Sequence, residues 1–205
     1  MHLRINEVTV SPARVDELGG VLSNKALPVV LEQDGCRGLL CAASRTTGDC
    51  AIVSLWDTRE SLDASEEAIA NIRGETVDVV GAQLNSIMVA EVLREVRVLP
   101  SQVGTRSRVV RITARGDSAD DMLEFYESEA VPRLEAQPGF LNARLIRDVD
   151  NDERFAAVSH WIDADALEAS DNLSGSLREQ VTGAIPGTAI ERVSTAEIIF
   201  IQLMT

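Results

Sequence analysis

One ten-residue phrase appears twice in this chain. "WDTRESLDAS" runs from Trp56 to Ser65, and "WIDADALEAS" runs from Trp161 to Ser170. Each reads Trp, five residues, Leu, an acid, Ala, Ser. Self-similarity at a fixed spacing signals repeated supersecondary units, so it constrains the fold more than composition does. The match extends well beyond the phrase. Pro28 matches Pro132 and Gly35 matches Gly139 at an offset of 104, the Trp pair is offset by 105, and "AEV" at Ala90 and "AEI" at Ala196 by 106. An offset that grows by single steps means one-residue loop insertions within a fixed order of elements. The reading is two copies, residues 1–95 and 108–205, joined by the linker "VRVLPSQVGTRS" at 96–107.

Both copies share one grammar. "LRINEVTV" and "VVRITAR" are β-rich starts. "SPARVDELGGVLSNKALPVVLEQ" and "SADDMLEFYESEAVPRLEAQ" space their apolar residues like amphipathic helices. Ser11 and Ser118 stand where N-caps belong, and Pro12 suits a first turn. Pro28 and Pro132 are expected to break or kink these helices late. Turn residues between alternating apolar runs then predict a hairpin in each copy. The Trp phrase closes the second hairpin strand and opens another helix, with Asp57 or Thr58, and Asp163, as caps and Leu62 and Leu167 starting the buried stripe. Last strands are read at "IMVAEVL" and "AEIIFIQLM". The order βαββαβ, spoken twice, gives two ferredoxin-like units. Such a sheet has helices on one face only, and the other face must be covered. The second copy answers that need within the same chain, as an internal pseudo-dimer.

Charge and cysteine usage narrow the function classes. The formal net charge of −14 argues against a phosphate-tracking nucleic-acid binder and against an anionic membrane surface. No apolar run approaches a membrane span, and the N-terminus does not read as a secretory signal. Cys36, Cys41 and Cys50 all fall in one hairpin without a CxxC, which fits buried thiols in a reducing cytoplasm. The two histidines, His2 and His160, and this cysteine spacing give no zinc set, so no metal is expected.

"LEAQPGF", followed by a hairpin and then W-x5-L-x-A, resembles the antibiotic biosynthesis monooxygenase (ABM) domain of the dimeric α+β barrel proteins. The resemblance covers most of both halves. It implies an α+β fold of two tandem ferredoxin-like repeats packed sheet to sheet as an intramolecular dimeric α+β barrel. It also implies a small-molecule ligand between the open sheet face and its helices or loops. Members include cofactor-free quinone-forming monooxygenases and haem-degrading enzymes. The haem-degrading set uses an Asn on the first strand with a Trp and a His on a later helix. Asn6 matches the Asn by position, but "ASEEAIANIRGE" and "ASDNLSGSLREQ" supply neither Trp nor His, and Ser65 and Ser170 stand where many ABM sequences carry His. No cofactor is therefore expected.

Strand parity picks out a polar set. With the second hairpin turning near Asn151, Asn142, Arg144 and His160 share one face with Ala156 and Val158, while Leu141, Ala143, Leu145, Ala157, Ser159 and Trp161 share the other. The matching positions in copy one, Gly38, Leu40 and Leu55, are apolar. Two readings are open. In the catalytic one, His160 is a base, Arg144 binds an anionic or enolate oxygen and Asn142 orients a carbonyl, with Asn6, Trp161 and Glu197 binding substrate. In the structural one, the three pair with Glu91 or Glu197, and Trp56 and Trp161 anchor their helices. Tyr126, the lone tyrosine, is expected in the core with its hydroxyl at the edge. The resemblance thus implies a small-molecule-binding protein, acting as a cofactor-independent monooxygenase on an enolisable or phenolic substrate or as a non-catalytic binding or assembly module. Further homodimerisation stays open.

Overall fold

The computed structural model describes residues 1–115 and 117–204; Gly116, and Thr205 at the end of the second repeat, lie outside the described residues. The chain forms two compact units, one of Met1–Ala90 with the chain from Ala196 onward, the other of Glu91–Thr195.

The first repeat runs β1 (His2–Thr9), α1 (Val15–Val21), α2 (Leu27–Leu31), β2 (Cys36–Ala43), β3 (Asp49–Trp56), α3 (Arg59–Ala64), α4 (Glu66–Val80) and β4 (Gln83–Arg97). The second runs β5 (Arg106–Thr113), α5 (Ala119–Phe125), α6 (Val131–Glu135), β6 (Phe140–Asp148), β7 (Arg154–Trp161), α7 (Ala164–Ala169), α8 (Asp171–Ala184) and β8 (Ala189–Leu203). The fold class is α+β, with two ferredoxin-like repeats in tandem. Among the described residues, no helix is long and apolar enough to cross a membrane.

The compact units are not cut where the sequence repeats are cut. In unit 1 the strands lie in the order β4-β1-β3-β2-β8, and in unit 2 in the order β8-β5-β7-β6-β4. The chain passes from one unit to the other inside β4 and returns inside β8. Each unit therefore takes a strand segment from the other repeat, as when Ala43 of β2 pairs with Glu197 of β8. The 95/96 boundary falls inside β4, and Arg106 and Ser107 of the linker already belong to β5. Both last strands start earlier than their apolar runs suggest, because Gln83–Ile87 and Glu191–Val193 are exposed and carry no buried alternation.

The core of each unit sits between the helices and one sheet face. Val8, Leu39, Cys41, Trp56 and Ile72 belong to it in unit 1; Ile112, Ala143, Leu145, Trp161 and Val181 belong to it in unit 2. All three cysteines are free and buried. Gly35 and Gly139 turn the chain into β2 and β6 at φ 74 and 79, where a Cβ would come within 2.7 Å of Ser61 or 2.5 Å of Ala166.

Pro28 and Pro132 do not end their helices. Each follows one turn of π-helix, at Leu22–Ala26 and Tyr126–Ala130. There the amide of Leu27 reaches back to the Leu22 carbonyl, and that of Val131 to the Tyr126 carbonyl. The wider turn relieves the clash between the proline ring and the carbonyl four residues earlier, so the helix continues. Thr58 and Asp163 cap α3 and α7, accepting from Ser61 and Ala166 amides, whereas Ser11 and Ser118 make no side-chain cap bond.

The repeated phrase has a structural purpose. A buried arginine on the first strand of each repeat docks into it. Arg4 donates to Ser65 Oγ (3.1 Å) and the Leu62 carbonyl (2.7 Å), and pairs with Glu66 (2.8 Å). Arg108 donates to Ser170 Oγ (2.7 Å) and the Leu167 carbonyl (2.8 Å), and pairs with Asp171. The Trp indoles, fully buried, donate to Ser54 (2.9 Å) and Ser159 (3.0 Å). Leu, Ser and the following acid are thus the socket that lets a charged group sit in the core.

Candidate functional site

The register of β6 on β7 pairs Asn142 with His160 and Arg144 with Val158, so the three polar groups share a face, as parity requires. A bulge between Phe140 and Asn142 alters one detail. Phe140, not Leu141, joins the helix-covered core, and its ring meets Trp161 edge-on with centroids 5.6 Å apart. Leu141 is the extra residue, and its carbonyl accepts from the amides of Val98 and Leu99.

The polar set is held by the segment that follows β4. Asn142 Nδ2 donates to the Leu99 carbonyl (3.1 Å) and to Ser101 Oγ (2.9 Å). Ser101 Oγ lies 2.7 Å from His160 Nδ1. The hydroxyl accepts from Asn142, and its hydrogen and second lone pair can serve either neutral tautomer of His160. Burial first, and Arg144 second, depress the His160 pKa to about 3. Arg144 donates twice to Glu95 Oε1, at 3.1 and 2.7 Å. Burial pushes the Glu95 carboxyl up, but Arg144 and Arg97 outweigh it and hold the pKa below its ordinary value.

Asn6, Trp161 and Glu197 do not join this set. Trp161 follows His160 in the strand and so faces the helices, without lining the cavity beneath them. Asn6 and Glu197 belong to unit 1. Asn6 donates weakly to the Ile52 carbonyl (3.4 Å) and accepts from Arg73 (3.3 Å). Glu197 lies past the point where β8 returns to unit 1, and takes Arg45 at 3.1 and 3.2 Å. The carboxylate on Arg144 is Glu95; Glu91 instead takes Arg147 (2.7 Å).

A second feature lies on the other side of the same sheet. Between β5–β7 and the helices of unit 2 is a cavity of about 680 Å³, mouth included. Its walls include Ile112, Met122, Phe125, Ala143, Leu145 and Ala157. Its polar groups are Arg108, Ser159, Ser170, Ser174, Arg178 and Tyr126. The Tyr126 hydroxyl is buried without a hydrogen-bond partner among the described residues, and burial raises its pKa. It is therefore a donor with nothing to donate to.

Residues 106–177, from β5 into α8, match the family model described as antibiotic biosynthesis monooxygenase. The matched segment lies within unit 2. The uncharacterized protein Rv2557 of Mycobacterium tuberculosis is 29% identical over 155 residues, covering 74% of this chain and 67% of that protein. A candidate monooxygenase of Fusobacterium nucleatum has a similar structure, with a TM-score of 0.71 and 14% identity over 98% of this chain and 94% of that chain. An anthrone oxidase-like protein gives 0.66 and 15% over 98% and 93%. At these identities the likeness is one of fold, and it runs through both repeats.

The unit 2 cavity has a smaller counterpart in unit 1, of about 450 Å³. Leu39 and Ile52 stand there where unit 2 has Ala143 and Ala157, and Leu22 stands where it has Tyr126. Shrinking two wall residues to alanine opens the space, and the tyrosine adds the polar handle. Aligning the copies by offset exposes this signal in the sequence, but reading each copy alone hides it. The socket arginines were also missed, although both sit where the strand alternation calls for a buried residue.

Proposed function

We propose that this protein binds a small, ring-bearing apolar molecule in the ABM cavity of unit 2, and that it oxygenates an enolisable or phenolic substrate there without a cofactor. The observation that carries this reading is a cavity of about 680 Å³ in the ABM segment, with apolar walls and an unpartnered tyrosine hydroxyl. Apolar walls with a few polar groups are the make-up of a small-molecule site. In this reaction a substrate CH2 is oxidised to a carbonyl, and dioxygen supplies that oxygen and leaves its other atom as water. The substrate must first lose a proton so that its carbanion can pass an electron to dioxygen. Donors around the cavity stabilise the resulting oxyanion.

His160 and Asn142 serve in this reading to hold the chain at residues 99–101, and Arg144 to hold Glu95 of β4. A base with a pKa of about 3 is neutral at pH 7 but takes up a proton with little driving force. A second reading, a binding module without catalysis, is favoured by one observation: among the described residues, no carboxylate, imidazole or thiol lines the cavity. An oxygen electrode with an anthrone as probe separates the two. Oxygen uptake that scales with protein and is lost in Leu177→Trp, which blocks the cavity, supports the oxygenase. Binding of the anthrone without uptake supports the module. Neither binding nor uptake would count against both.

A further inference from the structure

The two cavities share a network of two arginines and one acid, and the network is wired differently in each. In unit 1, Glu66 bridges both cations: Oε2 takes Arg4 at 2.8 Å and Oε1 takes Arg73 at 2.8 Å. Arg73 also donates to Asn6. Every charge there has an opposite charge within the protein.

Unit 2 repeats the layout with one methylene removed. Arg108 matches Arg4, Arg178 matches Arg73, and Asp171 stands where Glu66 stands. The shorter acid takes Arg108 alone. Arg178 turns to Ser174 Oγ (2.9 Å), a neutral group, and among the described residues it makes no ion pair. Ser174 itself occupies the position of Ile69. Burial first, and the nearby Arg178 cation after it, disfavour the charge on Arg108, while Asp171 favours it. The cavity thus carries one guanidinium with no carboxylate partner among the described residues, beside apolar walls and a buried hydroxyl that needs an acceptor.

We propose that the unit 2 cavity selects anionic ligands: ring compounds carrying a carboxylate, phenolate or enolate whose charged oxygen pairs with Arg178, with a second oxygen accepting from Tyr126. The proposal rests on the cavity being a small-molecule site. A guanidinium surrounded by apolar walls binds an oxyanion more strongly than a neutral oxygen, because the charge-assisted bond is less screened there than in water. The unit 1 network carries the same net charge, but both of its guanidiniums already rest on Glu66, which occupies the place an anion would take. The same charge would favour a substrate that enters already ionised, which a site without a base requires.

Calorimetric titration of the full chain tests this, with 2-naphthoate as the anionic probe and 2-naphthamide as its neutral counterpart, both at pH 7. Arg178→Gln removes the charge. Asp171→Glu restores the longer acid of unit 1 and leaves Arg108 paired. Both variants should keep the wild-type melting temperature. Naphthoate should bind wild type, and weaken about tenfold or more in either variant, while naphthamide changes by less than about twofold. If naphthamide binds wild type as tightly, or naphthoate ignores both variants, while Leu177→Trp still abolishes binding, the anion selectivity is overturned and the cavity stands. If neither probe binds, or Leu177→Trp changes nothing, the cavity reading fails and takes this proposal with it.

Discussion

Unit 1 and unit 2 share one frame, a tryptophan tied to a serine two residues back and a strand arginine seated in the Leu–Ser–acid socket. They differ in what surrounds that frame. Unit 1 has a smaller cavity, Leu39 and Ile52 on its walls, and both arginines held by one glutamate. Unit 2 has a larger cavity, alanines on the walls, a tyrosine and an arginine without a carboxylate. The difference teaches how a duplication divides labour. Where residues are kept they hold a helix on a sheet, and where they have diverged they open space and leave polar groups unsatisfied.

The largest expected effect tests the shared frame. Trp56→Ala and Trp161→Ala should each lower unfolding stability by about 3–5 kcal/mol, since both side chains are fully buried. Denaturant melts that show a large loss in one unit and a small one in the other would break the equivalence. Next comes the acid. Glu66→Ala leaves two cations uncompensated and should cost about 2–3 kcal/mol, a figure held down by the half-exposed carboxylate. Asp171→Ala leaves one and should cost about 1 kcal/mol. Equal losses would mean that the two networks are wired alike.

His160 adds a pH test with a defined sign. Its folded pKa is about 3 and its ordinary value 6.5, so the unfolded chain takes up the proton first as pH falls. Stability should therefore decline from pH 6.5 downward, by about 2 kcal/mol between 6.5 and 5. His160→Leu, which copies Leu55 of unit 1, should fold and lose that slope. A slope that survives in the variant would assign it to other groups. The smallest effect lies at the surface. Arg37 and Asp57 form an exposed pair in unit 1 where unit 2 has Leu141 and Ile162. Arg37→Ala should leave the denaturant midpoint unchanged, and a clear shift would give this exposed pair a role in the frame.

Much of this frame is legible in the sequence. The ordered offsets reveal two βαββαβ copies, and strand alternation places Asn142, Arg144 and His160 on one face. Three local features escape such reading. The bulge at Leu141 shifts one side chain across the sheet without any glycine or proline to mark it. The π-turns let Pro28 and Pro132 stay inside their helices. The crossings within β4 and β8 depend on pairing between residues far apart in sequence, as with Ala43 and Glu197. The site was harder to read for a physical reason. A polar trio in an apolar strand stands out, whereas a cavity is made by what is missing, and Ala143 and Ala157 look like ordinary core residues until they are set beside Leu39 and Ile52.

Tyr126 is the only tyrosine in the chain, so isotope-labelled tyrosine reports on the unit 2 cavity with one ring signal. Addition of 2-naphthoate should shift this signal in wild type, in proportion to the calorimetric saturation, and leave it nearly unmoved in Asp171→Glu. Binding of naphthoate with no movement of the Tyr126 signal, or an equal shift in Asp171→Glu, would contradict this expectation.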